Sequence, residues 1–177
     1  MKDKEIKELL SKMVILVDSR EHLPSHITDT FDKYNIKWKR KKLNSADYTA
    51  YIPKEEGDIY ADISIERKMG IEEICNNLIN QRLRFKREFE RKETDIIIMI
   101  ENDTYKDIIC KNYHNKVEPN SLLASLHSIS REFDIPFIFI DKESSPLYIY
   151  KTLYYDLRNK LKNNKINCWQ KKKQVVK

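Results

Sequence analysis

Glycine is scarce in this chain, which has only 2 glycines in 177 residues. The loops that cradle nucleotide phosphates need several glycines at fixed spacings, and the sequence contains neither a GxGxxG nor a GxxxxGK pattern. The sequence therefore excludes the dinucleotide- and ATP-dependent enzymes that use such loops, and we expect no nucleotide cofactor.

Cysteine and long apolar runs are scarce as well. The 3 cysteines lie far apart and include no closely spaced pair of the kind that binds zinc. The longest apolar runs, at residues 13–17 and 96–100, are far shorter than the roughly 20 residues that a membrane-spanning helix needs. The first residues lack the apolar stretch of a secretory signal. We therefore expect an intracellular protein of a reducing compartment, with no membrane partner.

The basic residues are unevenly placed along the chain. In total 34 basic and 28 acidic residues give a net charge of +6. Residues 158–177 contain eight basic residues and no acidic one, so residues 1–157 retain 26 basic against 28 acidic residues, a net charge of −2. We expect a folded domain over residues 1–162 and a mobile basic tail over residues 163–177. Such a tail attracts a polyanion.

Apolar periodicity predicts alternating strands and helices. Short apolar runs predict strands at residues 13–17, 36–43, 48–52, 60–68, 95–100 and 136–140, with the second to the fourth in one meander. Helical spacing predicts helices at residues 27–34, 71–79 and 82–91, one from Pro119 onward and one from Pro146 to about Lys162. This order predicts an α/β fold with a mixed central sheet covered by helices on both faces.

A charged pair lies at the end of the strand predicted over residues 60–68. Because side chains alternate across a strand, Glu66 and Lys68 share one face and Arg67 lies on the other. The carboxylate can bind a hard divalent cation, and the lysine can orient or activate a water and offset phosphate charge. Asp47, before the preceding strand, supplies a second carboxylate. By itself this spacing is more typical of a charged strand end that faces solvent.

A third motif favours a functional site over a solvent-facing strand end for this charged pair. Residues 17–21 read Val-Asp-Ser-Arg-Glu and place two acids and an arginine at the end of an apolar strand, where α/β sheets hold their sites. With Ala46-Asp47-Tyr48 and Glu66-Arg67-Lys68, in this order and spacing, they resemble the XPF-type structure-selective nuclease domain of the archaeal Hef nucleases and eukaryotic flap endonucleases. The resemblance spans about residues 13–160 and implies a restriction-endonuclease-like fold, in a prokaryotic or phage protein of the cytoplasm.

The resemblance also implies a metal site. Asp47, Glu66 and the backbone carbonyl of Arg67 would be metal ligands, with Asp18 as a further ligand or as an acid acting through water. Lys68 would position the attacking water and stabilise charge on the phosphate. All-oxygen ligation suits Mg²⁺, with Mn²⁺ as a substitute.

Around this metal site the resemblance implies a supporting charge network. Arg20, Glu21 and Arg67 would form it and touch phosphate. The family pattern has glycine where this chain has Ala46, and aspartate where it has Glu72; neither change removes a carboxylate of the site.

Residues outside these motifs are candidate DNA contacts. Arg82 looks like the arginine of the family's Gly-Arg on the next helix. Lys39 and Arg40 belong to residues 37–42, where five of six are basic. That run suits a lysine-protected edge strand as well as a phosphate-contacting one. In the tail we expect phosphate contacts that do not read sequence from Lys171, Lys172 and Lys173.

The implied function is a Mg²⁺-dependent endonuclease that hydrolyses phosphodiester bonds in branched or flapped DNA, in recombination or repair. Two alternatives stay open. One is a catalytically silent DNA-binding or scaffold subunit, and the other is a less selective restriction or junction-resolving nuclease. The second arises because we expect a stand-alone domain without the helix-hairpin-helix module of the family.

The last helix predicts self-association. It has one apolar stripe and further apolar residues on its other side, Ile149 and Leu153. The stripe consists of Leu147, Tyr150, Tyr154, Leu157 and Leu161. A helix that is apolar around most of its circumference needs two neighbours. We therefore expect a homodimer through the C-terminal helices, the alternative being a helix buried between layers of one chain.

Overall fold

A computed structural model describes residues 1–22, 24–79, 81–90 and 92–163, without the side chains of Ile79, Arg82, Arg84 and Glu88. The strands are β1 (Val14–Asp18), β2 (Trp38–Lys41), β3 (Tyr48–Ile52), β4 (Ile59–Tyr60), β5 (Ile63–Lys68), β6 (Asp95–Glu101) and β7 (Phe137–Ile140). The helices are α1 (Asp3–Leu10), α2 (Ser25–Lys33), α3 (Ile71–Ile79), α4 (Arg82–Glu90), α5 (Tyr105–Ile109), α6 (Pro119–Phe133) and α7 (Ser145–Lys162). The predicted basic tail lies outside the described residues, apart from Asn163.

All strands form one mixed sheet in the order β2-β1-β3-β5-β6-β7, with β4 paired to β3. The pairs β1–β2, β5–β6 and β6–β7 are parallel, whereas β3 runs antiparallel to β1, β4 and β5. The predicted meander is therefore wrong for its first strand. β2 follows the helical crossover α2, which returns the chain in its original direction, and pairs in parallel with β1.

Two large apolar clusters pack helices against the two faces of the sheet. On one face α1, α2 and α7 pack on β1, β3 and β5, through residues such as Phe31, Ile65 and Leu153. On the other, α3, α4, α5 and α6 pack on β6, through residues such as Phe85 and Ile98. The predicted α/β fold, with helices on both faces of a mixed sheet, is confirmed.

Two details of the helices differ from the predictions. α1 and α5 were not predicted, although Thr104 and Asp107 of α5 form a capping box that marks a helix start. In α7 the fully buried face repeats every four residues, whereas Leu147 is 37% exposed. That face consists of Ile149, Leu153, Leu157 and Leu161. The predicted stripe is therefore wrong at its N-terminal half. None of the described helices has the length and apolar character needed to span a bilayer.

Candidate active site

The end of β1, the start of β3 and the end of β5 meet at one edge of the sheet. The backbone N–H of Asp18 donates to the carbonyl of Asp47 over 2.8 Å, and the N–H of Asp47 donates to the carbonyl of Ile65 over 3.0 Å. These bonds bring the three sequence motifs together around a cleft of about 540 Å³. Motif residues that line it are Asp18, Arg20, Glu21, Ala46, Asp47 and Glu66.

Asp47 follows a left-handed turn. Ala46 has a φ of +59°, and Oδ2 of Asp47 accepts a 2.8 Å hydrogen bond from the backbone N–H of Arg67. Burial, and then the charges of Glu66 and Glu21, raise the pKa of Asp47 well above its usual value. The neighbouring negative charges therefore disfavour ionisation of Asp47, and a cation bound beside it would relieve this repulsion.

The donors at this edge fit a hard divalent cation. Mg²⁺ in proteins takes one or two carboxylates and keeps its other positions for water and phosphate oxygens. Asp47 and Glu66 can supply those carboxylates. Among the described residues, no three His, Cys, Asp or Glu side chains converge closely enough to hold a metal by themselves. The site therefore suits a cation that takes its other ligands from substrate or water oxygens, and the carbonyl of Arg67 as a ligand stays a prediction.

Lys68 is a buried, charged partner of Glu66. Its Nζ donates a 2.5 Å hydrogen bond to Oε1 of Glu66 and lies 3.3 Å from Oε1 of Glu73 in α3. Burial lowers the pKa of Lys68, but the charges of Glu66 and Glu73 outweigh it and the pKa is raised overall. Lys68 is therefore a fixed positive charge, suited to offsetting negative charge on a phosphate rather than to accepting a proton.

Arg67 points to the opposite face of β5, as the alternation predicts. Its guanidinium lies 3.2 Å from Oε1 of Glu21 and 2.7 Å from Oε2 of Glu101. Glu101, at the end of β6, is fully buried, and its Oε1 lies 3.1 Å from Nε2 of His26 in α2. Ser145 at the start of α7 lies 3.5 Å from the same nitrogen. A polar network centred on the buried Glu101 thus connects the loop after β1 to β5, β6, α2 and α7.

Glu21 and Glu101 respond differently to Arg67. For Glu21, burial raises the pKa, and the charges of Glu66 and Glu73 add to it despite the opposing guanidinium. For Glu101, burial also raises the pKa, but hydrogen bonds from Arg67, Ser145 and His26 lower it overall. Glu101 is therefore a stable anion that anchors Arg67, whereas Glu21 is the weaker partner and the one that lines the cleft.

Asp18 already has a full set of partners. It is 2% exposed; Oδ1 accepts from the backbone N–H and Nε of Arg20, and Oδ2 accepts from Nη2 of Arg20 and from the N–H of Leu43. Burial raises the pKa of Asp18, but these hydrogen bonds lower it overall. Asp18 orders Arg20 and the loop before β3 here, and its role as a metal ligand stays a prediction.

The predicted DNA contacts are spread over different surfaces. The side chain of Arg20 is 62% exposed at the cleft. Arg40 donates to the backbone carbonyls of Ser19 and Glu21 and so braces the loop after β1. Lys39 lies on the other side of β2, where its Nζ donates to Tyr51 Oη over 2.6 Å. The side chain of Arg82 and the tail residues Lys171, Lys172 and Lys173 lie outside the described residues.

Sequence reasoning missed several residues of this region. Glu101 and His26 were assigned no role in the site, although Glu101 ends the clearest apolar strand of the chain, a position where α/β sheets hold functional groups. Arg87 lines the cleft from α4, and only tertiary structure could place it there.

Glu72 turns away from the cleft, and its carboxylate accepts hydrogen bonds from the backbone N–H groups of His114 and Asn115.

The fold and the strand-end constellation define the class. A mixed sheet flanked by helices, with an aspartate and a Glu-x-Lys pair at one edge, is the architecture of the restriction-endonuclease-like nucleases. The model of the ERCC4 domain matches residues 17–153, and the chain belongs to that family. The predicted resemblance to XPF-type nuclease domains is confirmed.

Solved structures agree with the family assignment. The structure of XPF from Aeropyrum pernix is 19% identical, with a TM-score of 0.61, and the match covers 86% of this chain and 69% of that one. The same protein in complex with DNA is 20% identical, with a TM-score of 0.57, over 80% of this chain and 63% of that one. At these identities the likeness establishes the fold alone. No curated protein matches the sequence.

Proposed function

We propose that this protein is a Mg²⁺-dependent endonuclease that hydrolyses phosphodiester bonds in branched or flapped DNA, with Mn²⁺ as a substitute. The observation that carries the proposal is the crowding of Asp47 and Glu66 in an open cleft beside the fixed charge of Lys68. Membership in the ERCC4 domain family supports a nuclease, and the related XPF from Aeropyrum pernix is known in complex with DNA.

Each side chain has a defined part in this chemistry. Mg²⁺, when bound, supplies Lewis acidity that polarises a phosphoryl oxygen and lowers the pKa of water. Asp47, Glu66 and the carbonyl of Arg67 would hold the ion at the strand ends. Lys68 offsets the negative charge that develops on the phosphate, an interaction that is strongest in the transition state. Arg20, held by Asp18, presents its exposed guanidinium to a phosphate at the cleft.

A cleavage panel tests this function. Flap, fork, four-way junction and linear duplex DNA would be incubated with Mg²⁺, with Mn²⁺ and with chelator. We expect cutting of the branched substrates in either metal and none with chelator. Equal cutting of linear duplex would favour the less selective nuclease, and binding without cutting in any metal would favour the silent scaffold.

Substitution of the two proposed metal ligands tests whether cleavage takes place at this site. Asp47→Asn and Glu66→Gln should abolish cleavage while DNA binding persists, because they remove metal ligands without adding charge. Glu132→Gln is the matched control, since Glu132 pairs with Lys86 on the surface, 2.5 Å away, outside the cleft. Melting temperatures with and without Mn²⁺ give a readout independent of activity. Metal should raise the parent's melting temperature and leave those of the two site variants unchanged.

We also propose that the protein is a homodimer through α7. In the single chain α7 keeps an aromatic surface in which Tyr154 contacts Tyr150 at 5.7 Å and Tyr155 at 5.4 Å between ring centroids. Tyr155 is 52% exposed. Tyr155→Glu should shift sedimentation from dimer to monomer, whereas Tyr34→Glu, at another exposed tyrosine, should not. A monomeric parent would contradict the proposal.

A further inference from the structure

One half of the sheet has a face that none of the described helices covers. In this region Leu16, Leu43 and Tyr51 form a small apolar cluster with Val14, and none of its members comes from a helix. A groove of about 670 Å³ lies over this part of the sheet. It adjoins the candidate active-site cleft, since Asn44 and Ser45 line both. We call it the open-face groove.

Tyr60 and Lys41 line this groove, and Tyr51 and Lys39 lie against them from outside its lining. Tyr51 and Tyr60 stack with ring centroids 5.5 Å apart and planes 23° apart. The Nζ of Lys39 lies 4.6 Å from the centroid of Tyr51, and that of Lys41 lies 5.6 Å from the centroid of Tyr60. Tyr60 is 41% exposed, so part of its ring remains open to a ligand. Exposed aromatic rings flanked by cations are the elements that hold unpaired nucleic-acid strands.

The exposed ring is carried by a rigid backbone. Lys160 of α7 is 6% exposed, and its Nζ donates to the carbonyl of Tyr60 over 2.8 Å and to Oδ1 of Asp62 over 2.6 Å. Asp156 accepts from the backbone N–H of Asp62 over 2.7 Å. A buried cation and a carboxylate of α7 therefore fix the corner between β4 and β5. This order reduces the entropy that Tyr60 would lose on stacking against a ligand.

The charges of the groove favour one strand over two. Lys41 and Lys42 line it from β2 and the residue after it, and Lys54 lines it from the turn after β3. The same turn and the region before β6 contribute the acidic lining residues Glu56, Asp58 and Glu93. A single phosphate backbone can follow the lysines of β2. The second backbone of a duplex would meet the carboxylates, which repel it.

We propose that the open-face groove binds single-stranded DNA, with a base stacked on Tyr60 and phosphates beside Lys41 and Lys42. The inference rests on the proposed function, because it takes this strand to be the unpaired arm of the branched substrate. Through Asn44 and Ser45 the groove continues into the cleft, so an arm held here leads directly to the strand ends that carry Asp47 and Glu66.

Binding of labelled oligonucleotides tests the groove. Fluorescence anisotropy with a single-stranded oligo(dT) and with a blunt duplex, both in chelator, would measure affinity without cleavage. Tyr60→Ala should weaken oligo(dT) binding about tenfold, within the range for losing one base–aromatic stack, and leave duplex binding unchanged. Tyr60→Trp should retain it. The matched control is Tyr34→Ala, because Tyr34 is 55% exposed and has Lys33 5.7 Å from its ring, but lies outside the groove.

A second variant, Lys41→Ala, tests the groove without altering β4, so a folding defect in β4 cannot explain its result. Lys41→Ala should weaken oligo(dT) binding a few-fold and flatten the slope of log K against log salt by about 0.7, the value for one single-strand phosphate. Unchanged oligo(dT) affinity in both Tyr60→Ala and Lys41→Ala, with melting temperatures like the parent's, would overturn the proposal.

The results that would contradict the groove differ from those that would contradict the proposed nuclease function. If the parent cuts no substrate while Tyr60→Ala still loses oligo(dT) binding, the proposed function is wrong and the groove stands. If the parent cuts branched DNA while Tyr60→Ala binds and cuts like the parent, the groove is wrong and the function stands. Glu66→Gln separates the two sites, since it should stop cleavage and leave oligo(dT) affinity unchanged.

Discussion

The guanidinium of Arg67 lies 2.7 Å from the buried carboxylate of Glu101 and 3.2 Å from the carboxylate of Glu21 at the cleft. Glu101 is fully enclosed, whereas Glu21 lines the cleft. The arginine between Glu66 and Lys68 therefore connects the core of the fold to the loop after β1. This connection holds the backbone of β5, whose carbonyl at Arg67 is a proposed metal ligand, from the face opposite Glu66 and Lys68.

Breaking the pair should unfold the protein more easily. Glu101→Gln leaves the Arg67 charge buried, with Glu21 as its remaining ion-pair partner among the described residues, and we expect a loss of about 3 kcal/mol in the free energy of unfolding. Urea denaturation measures it. Glu132→Gln breaks an exposed ion pair with Lys86 and should cost less than about 1 kcal/mol. Equal losses in the two variants would contradict the role given to Glu101.

The same residue predicts a pH dependence. Hydrogen bonds from Arg67, Ser145 and His26 outweigh burial and lower the pKa of Glu101. A carboxyl with a lowered folded-state pKa stabilises the protein above its unfolded pKa, about 4.3, and this contribution disappears as the pH falls through the folded value. The stability of the parent should therefore fall more steeply than that of Glu101→Gln below about pH 5. Parallel stability curves from urea titrations at a series of pH values would refute this.

Ala46 predicts a stabilising substitution. Its φ of +59° costs an alanine about 1 kcal/mol that a glycine does not incur. Ala46→Gly should raise the melting temperature by roughly 2–4 °C, the shift for about 1 kcal/mol in a chain of this size. Ala50→Gly is the control, since Ala50 lies inside β3 and its replacement should lower the melting temperature. A lower melting temperature in Ala46→Gly would mean that the turn carries no strain.

Substitutions at Gly70 and Asp103 should have coupled effects on stability, because the two residues are in close contact. A Cβ added at Gly70 would lie 2.5 Å from Oδ2 of Asp103, the atom that accepts a 2.6 Å hydrogen bond from the N–H of Ile71 at the start of α3. Gly70→Ala should therefore cost about 1–3 kcal/mol, and Asp103→Ala about 1 kcal/mol for the lost cap. The double variant should lose less than the sum of these, because the methyl no longer meets the carboxylate. Strict additivity in thermal unfolding would exclude the contact.

Lys68 predicts a kinetic effect. Removing one positioned electrostatic group typically costs roughly a hundredfold or more in rate, so Lys68→Ala should cut DNA about a hundredfold more slowly than the parent at saturating Mg²⁺. The affinity of Lys68→Ala for Mn²⁺, measured from the rise in melting temperature that the metal causes, should change far less than the rate. Lys86→Ala is the control, since Lys86 pairs with Glu132 outside the cleft. Parental rates in Lys68→Ala would move the catalytic charge elsewhere.

Local patterns in the sequence determined much of this protein. Side-chain alternation placed Glu66 and Lys68 together and Arg67 opposite, because that relation depends only on the pleat of one strand. Apolar runs located the strands, and α6 began at its proline. The order of the three motifs was enough to indicate the family, because each motif is a short segment that can be recognised without knowing which residues lie near it in the fold.

Only the tertiary structure decided which groups meet across the sheet. The sequence placed β2 in a meander, but the crossover through α2 set it beside β1, and this left the open-face groove between β2 and β4. Glu101 became the anchor of Arg67 because the parallel register of β5 and β6 aligns their ends. Periodicity fixes the face on which a side chain lies, whereas strand order and register depend on packing between distant segments, which no local pattern records.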